Sequence, residues 1–522
     1  MTGQQNVAFT HLEVHSHYTL LGATAPVEEL VARAAAEGME HLALTDNNAL
    51  YGAVAFERAC QAAGLKAITG MAVTVAQPAE RIGPARSPGR LVLLATGPEG
   101  YRSLCQLSSR IQAHPDRGER AAAGLGWEDL AAHADGLLCL SGGRSGWVER
   151  LVRANAASAA ERYAARLAEV YRGRAYLSVE MHEPGDGIVV EAVAALGRAL
   201  GLKAVAAQPV YCLSPGEGCR LRLLAAIDHN LALEAVPRAA LPGGGEPGVT
   251  VHWLSREEVV ARFADFPEAV EQVQEVAERC GPALPDGQPL WPELKLPQGE
   301  TPEAALRRQA EAGLAARYGP EVPVAVRERL GAELAAIERY GYTPLFVVVA
   351  DIVRAALEAG IPVNTRGSVA NSLAAYCSGI TNVDPIAHDL LFERFLNPAR
   401  AEAGGPARSL PDIDLDFCSR RRDEVLGYVR RTYGTDRVAL VGTMSTLQPR
   451  GAVRETAKAY GLGEAETRRL IRLLPRRWHP DPRRRDRRTV DDVLAALEDD
   501  REREVVEAAY ELLRPVVKQT PL

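Results

Sequence analysis

The chain has 522 residues, room for about three domains of roughly 150 residues each, and its 47% hydrophobic and 24% charged content is that of an ordinary folded protein. A formal net charge of −7 excludes a chain that is basic throughout, and eight scattered cysteines with no C-x-x-C pair or zinc-finger spacing exclude a disulfide framework or a structural zinc. The N-terminus MTGQQNVAFTHLEVHSHYT lacks a basic segment followed by an apolar one, and no apolar run approaches the ~20 residues of a membrane span, so the sequence reads as cytoplasmic with no membrane partner.

Up to about residue 213, short apolar runs recur at HLEVHS, HLALTD, KAITGMAV, RLVLLA, GLLCLSGG, RAYLSVE and KAVAAQPV, most of them separated by helical stretches such as PVEELVARAAAEGM. This alternation predicts βαβ units in a mainly parallel sheet, and seven such strands would close into a barrel. Functional groups of such barrels lie where strands enter the following loops, the expected positions of His15, Asp46, Asn47 and His182. The pattern from Val205 to Gly299 is helical and then proline-rich, and LPDGQPLWPELKLPQGETP reads as a linker. Two helical stretches, TPEAALRRQAEAGLAARYG and VAVRERLGAELAAIERYGY, lead into LFVVVADIVRAALEAGIPV.

In NTRGSVANSLAAYCSGI, Ser368 is expected to cap a helix running to about Gly379, leaving backbone N–H groups that favour a phosphate. About forty residues later, SLPDIDLDFC alternates Asp412, Asp414 and Asp416 with Ile413, Leu415 and Phe417, which on an extended strand gathers the carboxylates on one face. Alone, such a strand is more often a solvated face. After a Gly-Ser turn into a helix it is the arrangement a nucleotidyl transferase needs, with one element for a triphosphate and the other for metal ions. Next, SRRRDEVLGYVRRTYG repeats Val425, Val429 and Tyr433 at helical spacing. Between Thr467 and Thr489, ten arginines face only Asp481 and Asp486 around Trp478, a composition that suits phosphates and base stacking but is also that of a solvated loop.

The string GIPVNTRGSVANSLAAYCSGITNVDPIAHDLLFERFLNP, followed by SLPDIDLDFCSRRRDEVLGYV, closely resembles the palm of the C-family bacterial DNA polymerases, the DNA polymerase III alpha subunits. The opening FTHLEVHSHYTLLGA resembles their N-terminal PHP (polymerase and histidinol phosphatase) domain, and GTMSTLQPRGAVRETAKAYGL the start of their thumb. Asn371 in RGSVANS is more like the error-prone branch than the main replicative branch, which usually has glycine there. The resemblance implies an α/β and α+β multidomain chain: a PHP-type βα barrel with a helical extension over 1–282, a linker over 283–301, a partial nucleotidyltransferase-like palm over 302–435 and a helical thumb over 436–522. It implies Mg²⁺ held by Asp412 and Asp414, one ion activating the primer 3′-hydroxyl and one stabilising the leaving pyrophosphate. Asp416 would steady that site without holding an ion directly. Arg366, Gly367, Ser368 and Ser372 would contact the dNTP phosphates, and Arg476, Arg477, Arg483, Arg484 and Arg485 the backbone of a DNA primer-template.

Two departures qualify the resemblance. Family members continue past the thumb into a palm segment with a third catalytic aspartate, then fingers and a DNA-binding tail. The match here stops at RPVVKQTPL, which implies an N-terminal portion that is catalytically incomplete alone. Its implied partners are a C-terminal polypeptide carrying the rest and, through that part, a sliding clamp. In the PHP region, Glu13, Gly22, Asn47, Ala72, Arg90, Gly143, Pro209 and Tyr211 stand where the family has metal ligands, so no PHP metal cluster is expected. The alternative is a non-catalytic DNA-binding or scaffold protein left by truncation of such a polymerase.

Overall fold

The computed structural model describes residues 9–78, 88–287, 290–397, 411–435, 437–475 and 489–513, and the backbone of 517–520. The chain divides into two compact units, one formed by Met1–Leu284 with Gly442–Leu522 and the other by Pro285–Val441.

The first unit is built on a six-stranded sheet in sequential order, β1 (His41–Leu44), β2 (Lys66–Val75), β3 (Gly89–Ala95), β4 (Leu137–Leu140), β5 (Ala175–Val179) and β6 (Lys203–Ala206). Every residue of β1, β4 and β5 is buried, as continuous apolar runs require of strands covered on both faces. Helices such as Val27–Ala36 and Ala53–Ala63 supply the cover, burying Leu30, Val31, Phe56 and Cys60. The sheet is mainly parallel, as expected, and two features qualify the expected seven-stranded barrel. HLEVHS forms no strand of its own but closes the curled sheet by single bonds. Val210 N donates to Glu13 O (3.0 Å) and His15 N to Val210 O (2.8 Å) on one side, and Thr45 N donates to Val14 O (2.7 Å) on the other. In addition β3 runs antiparallel to both neighbours, whereas β1–β2, β4–β5 and β5–β6 are parallel. The reason lies in the connection from β2: AQPAERIGPARSP has prolines at 78, 84 and 88 and no helical apolar period, so it cannot supply the helical crossover a parallel pairing needs.

The C-terminal part of this unit carries helices Pro449–Ala459, Glu464–Leu473, Val490–Ala495 and Asp500–Glu511, with a backbone pairing of β9 (Thr443–Thr446) and β10 (Val517–Thr520). Ala452, Val453, Leu470, Val505 and Val506 form its core. Ala459 and Leu512 also join Leu21, Leu223, Leu224 and Ile227 in a shared cluster, and Arg220 Nε meets Glu511 Oε2 at 3.0 Å. These C-terminal helices are therefore docked on helix Gly218–His229, which follows the barrel.

In the second unit, helices Pro302–Tyr318, Val324–Arg339 and Thr343–Glu358 bury Leu306, Ile337 and Phe346. Trp291, Leu294 and Leu296 of the proline-rich stretch pack on the same core, so that stretch is not a bare linker. A two-stranded antiparallel sheet follows, β7 (Val363–Arg366) and β8 (Asp414–Phe417), and then helix Arg422–Tyr433. That helix buries Val425, while Tyr428 Oη and Tyr433 Oη donate to Asp351 Oδ2 at 2.7 and 3.0 Å. Among the described residues no single helix is long and apolar enough to cross a membrane.

Candidate active site on the acidic strand

Register places the polar residues together. In the β7–β8 pair Arg366 lies opposite Asp414 and Asn364 opposite Asp416, so these four side chains share one face. Ile413 and Leu415 pack on the unit's core, and Phe417 joins the cluster of Ala356, Ile361 and Val425. Arg366 Nε pairs with Asp416 Oδ2 at 2.6 Å rather than with Asp414, its direct opposite. Asp412 and Asp414 are exposed and make no ion pair or side-chain hydrogen bond among the described residues. Gly367 turns the chain with φ +81°, and a Cβ there would lie 3.4 Å from Asp414 Oδ2. A side chain at this position would therefore be strained and would stand over the carboxylate.

The phosphate-binding helix is not as expected. Ser368 does not cap a continuous helix: Ser368–Asn371 form a 3₁₀ turn, closed by Asn371 Nδ2 donating to Ser368 O (2.8 Å), and a separate short helix spans Leu373–Cys377. Ser372 caps that helix by accepting from Ala375 N (3.1 Å). Its hydroxyl donates to Glu333 Oε2 (2.9 Å), which also accepts from Ala374 N (3.0 Å). A buried carboxylate thus occupies the helix start that was expected to receive phosphate, and Ser372, fully buried, lies in the core behind the turn. Arg366 and Gly367 do sit beside Asp414, with Ser368 next in the turn, so the structure brings the first two together with the carboxylate and sets Ser372 apart. Burial raises the Glu333 pKa, opposed by the bonds from Ala374, Arg329 and Ser372. Sequence reasoning passed over Glu333, although a glutamate on the apolar stripe Leu330–Leu334–Ile337 was a visible signal.

At the barrel mouth, His15 stacks on Tyr211 with centroids 4.0 Å apart, and the Arg90 guanidinium donates to Tyr211 Oη. Burial pushes Glu13 up to about 8, Glu180 adds to the shift and Arg90 opposes it. His15 is held well below the usual histidine range, chiefly by burial. Asp46 is tied to a loop rather than open to a ligand: it accepts from Ser16 N (2.7 Å), Ser16 Oγ (2.9 Å) and Thr19 Oγ1 (2.7 Å). Asn47 stands at the edge of the mouth, where it bridges to Ala72. His182 Nε2 meets Glu180 Oε2 at 2.8 Å, and its Nδ1 accepts from Thr250 N (3.1 Å). Glu180 Oε1 accepts from Arg144 N (2.8 Å), and a Cβ on Gly143 would collide with that oxygen. Among the described residues no three His, Cys, Asp or Glu side chains converge in a way that could hold a metal. The sequence reading named Arg90 only as a lost ligand and did not single out Glu180 or the buried Glu149. Arg476, Arg477, Arg483, Arg484 and Arg485 lie outside the described residues.

Among the described residues the chain thus combines a curled, largely parallel sheet whose mouth is poor in metal ligands with a β-pair joining a Gly-Ser turn to open carboxylates. Residues 11–182 match the PHP domain model, and 304–517 match the model described as the bacterial DNA polymerase III alpha NTPase domain. The chain is 38% identical to an error-prone DNA polymerase of Symbiobacterium thermophilum over 91% of its own length and 43% of the relative's. It is 36% identical to the DNA polymerase III subunit alpha of Halalkalibacterium halodurans (87% of this chain, 38% of that protein), and 35% identical to an error-prone DNA polymerase of Mycobacterium bovis (88% and 41%). Over the matched residues the chain carries the PHP and DNA polymerase III alpha domains, and it spans about two fifths of the length of these relatives.

Proposed function

We propose that this chain supplies the PHP, early palm and thumb portions of a cytoplasmic template-directed DNA polymerase of the error-prone type, which adds dNTPs to a primer 3′-hydroxyl. The observation that carries this reading is Asp414, opposite Arg366 and against Gly367, with Asp412 two residues before it, both exposed and without an ion pair or side-chain hydrogen bond among the described residues. Hard, open carboxylate oxygens suit Mg²⁺, which prefers oxygen ligands and keeps water and phosphate in its remaining positions. Mg²⁺ ions held by Asp412 and Asp414 would activate the primer hydroxyl and stabilise the leaving pyrophosphate. The chain's own part is to orient the triphosphate. Arg366 offers a planar fork for phosphate oxygens, Gly367 lets the turn approach closely, and Ser368 contributes its hydroxyl and amide. Ser372 is left out of direct phosphate contact, because its hydroxyl is buried on Glu333.

Primer extension in this reading also draws on a third carboxylate and the fingers, and any sliding clamp is met through those parts. In this reading the barrel mouth does no hydrolysis: Tyr211 fills it against His15, and the Arg90 guanidinium puts a fixed positive charge there. The arginine-rich stretch, including Arg476, Arg477, Arg483, Arg484 and Arg485, contacts duplex backbone without regard to sequence. The test is complementation. The chain mixed with the remaining part of a close relative should extend a primer with Mg²⁺, and extension should vanish with Asp412→Asn. Full extension by that variant would reduce the acidic strand to a solvated face.

A further inference from the structure

A charged carboxylate within an apolar helix face is costly unless every lone pair is used, and an aliphatic residue of similar volume would pack there at least as well. Glu333 is such a carboxylate. It lies 2% exposed on helix Val324–Arg339 among Leu330, Leu334 and Ile337, so packing alone gives no reason for it. Its bonds do. Oε2 accepts from Ser372 Oγ (2.9 Å) and Ala374 N (3.0 Å), and Oε1 accepts from Arg329 Nε (3.0 Å), one helical turn away. Arg329 Nη2 in turn donates to Asn371 O (3.0 Å) and Leu390 O (2.8 Å). Asn371 Nδ2 donates back to Ser368 O at 2.8 Å. Apart from their mutual bond and that to Leu390, the bonds of buried Glu333 and partly exposed Arg329 among the described residues end on residues 371–374, just after the Arg366–Gly367–Ser368 turn.

We propose that Glu333, acting with Arg329 and Asn371, is a positioning residue that holds the Arg366–Ser368 turn in the conformation that receives the nucleotide triphosphate. This rests on the nucleotide reading of the turn and adds to it the element that keeps the turn in shape. The front of the turn is exposed: Arg366 has a side chain 70% open to solvent and one surface ion pair, to Asp416. Such a group would lose much conformational freedom on binding, so a brace from behind, fixed before the nucleotide arrives, favours affinity. Glu333 touches no phosphate and acts through Ser372, Ala374 and Asn371.

The experiment titrates the full chain with dATP and Mg²⁺ by calorimetry, reading Kd and the binding-competent fraction separately. Glu333→Gln keeps the side-chain shape but sets an amide donor against donors. It should raise Kd about tenfold with the competent fraction unchanged, and should speed amide exchange over residues 366–375 selectively. A merely structural role would lower the competent fraction and leave Kd alone, and that result would overturn the inference. Arg366→Ala is the control. Binding by the wild type that Arg366→Ala weakens but Glu333→Gln does not would reject the brace and keep the nucleotide site. No binding by the wild type, or none lost in Arg366→Ala, would reject both. Should Glu333→Gln not fold, Asn371→Ala, which removes only the tie to Ser368, is read by the same criteria.

Discussion

Replacing Glu13 by glutamine should remove most of one titration from the stability of the first unit. Glu13 is buried, and its pKa rises from the model-peptide value of 4.5 to about 8, through desolvation first and the neighbouring Glu180 second, with Arg90 opposing. An acid whose pKa is higher folded than unfolded contributes stability that is full below about pH 4.5 and is lost as pH climbs to about 8. Each pH unit inside that window costs about 1.4 kcal/mol for an isolated group, so pH 5 to 8 has a ceiling of about 4 kcal/mol. Water entry and local rearrangement bring the expected loss to about 2 kcal/mol. Buried His11 and His15, both lowered by burial, act in the opposite sense and remove stability as pH falls below 6.5. His11 is common to both proteins and cancels in the difference, while His15, 3.5 Å from Glu13, is neutral above about pH 6.5, so the difference above that pH reports Glu13. Urea unfolding of wild type and Glu13→Gln at half-unit steps from pH 5 to 8.5 measures it. The wild type should lose about 2 kcal/mol more than the variant across this range. Parallel curves would mean that Glu13 is ionised alongside Arg90 throughout, and the account of the mouth would be wrong.

Asp414→Asn, like Asp412→Asn, should abolish Mg²⁺-dependent extension in the complemented enzyme, because the amide keeps the shape and loses the charge. Asp416→Asn should leave partial activity with a raised KM for dNTP, since Asp416 grips Arg366; unchanged kinetics would make that ion pair incidental. Elemental analysis of the purified chain should find no tightly held Zn²⁺ or Mn²⁺, and two or three ions per chain would refute the reading of the barrel mouth. Duplex DNA binding should weaken steeply with salt, and alanine at Arg483, Arg484 and Arg485 should flatten the log–log slope by up to about 0.9 per lost phosphate contact; an identical slope would place those residues in a solvated loop.

What could be read from the sequence was whatever depends on local pattern. Strands β1, β4 and β5 appear as short apolar runs because each is buried on both faces, and the alternation in PDIDLDF translates directly into a polar and an apolar side of β8. Pairing direction is not local: the reversal of β3 depends on the connection before it and on which strand it meets. RGSVANSLAAYC misled for a related reason. Two residues in it can cap, and the choice of Ser372 over Ser368 is made by Glu333, some forty positions earlier in the chain. Arg90 shows the same limit, since a substitution is visible in a sequence but the ring that its guanidinium finds is not.

The return of the C-terminal helices to helix Gly218–His229 has a consequence for synthesis. Leu223, Leu224 and Ile227 are covered in part by Ala459 and Leu512, which are translated only after the whole of the second unit. At about 5–20 residues per second, that face waits on the order of ten seconds or more after leaving the ribosome before its cover exists. The nascent barrel therefore passes through a stage with an apolar strip uncovered, a natural place for a chaperone to bind. A protease cut within the second unit would also leave both ends of the chain joined, because the first unit is stitched from the two sides of the break.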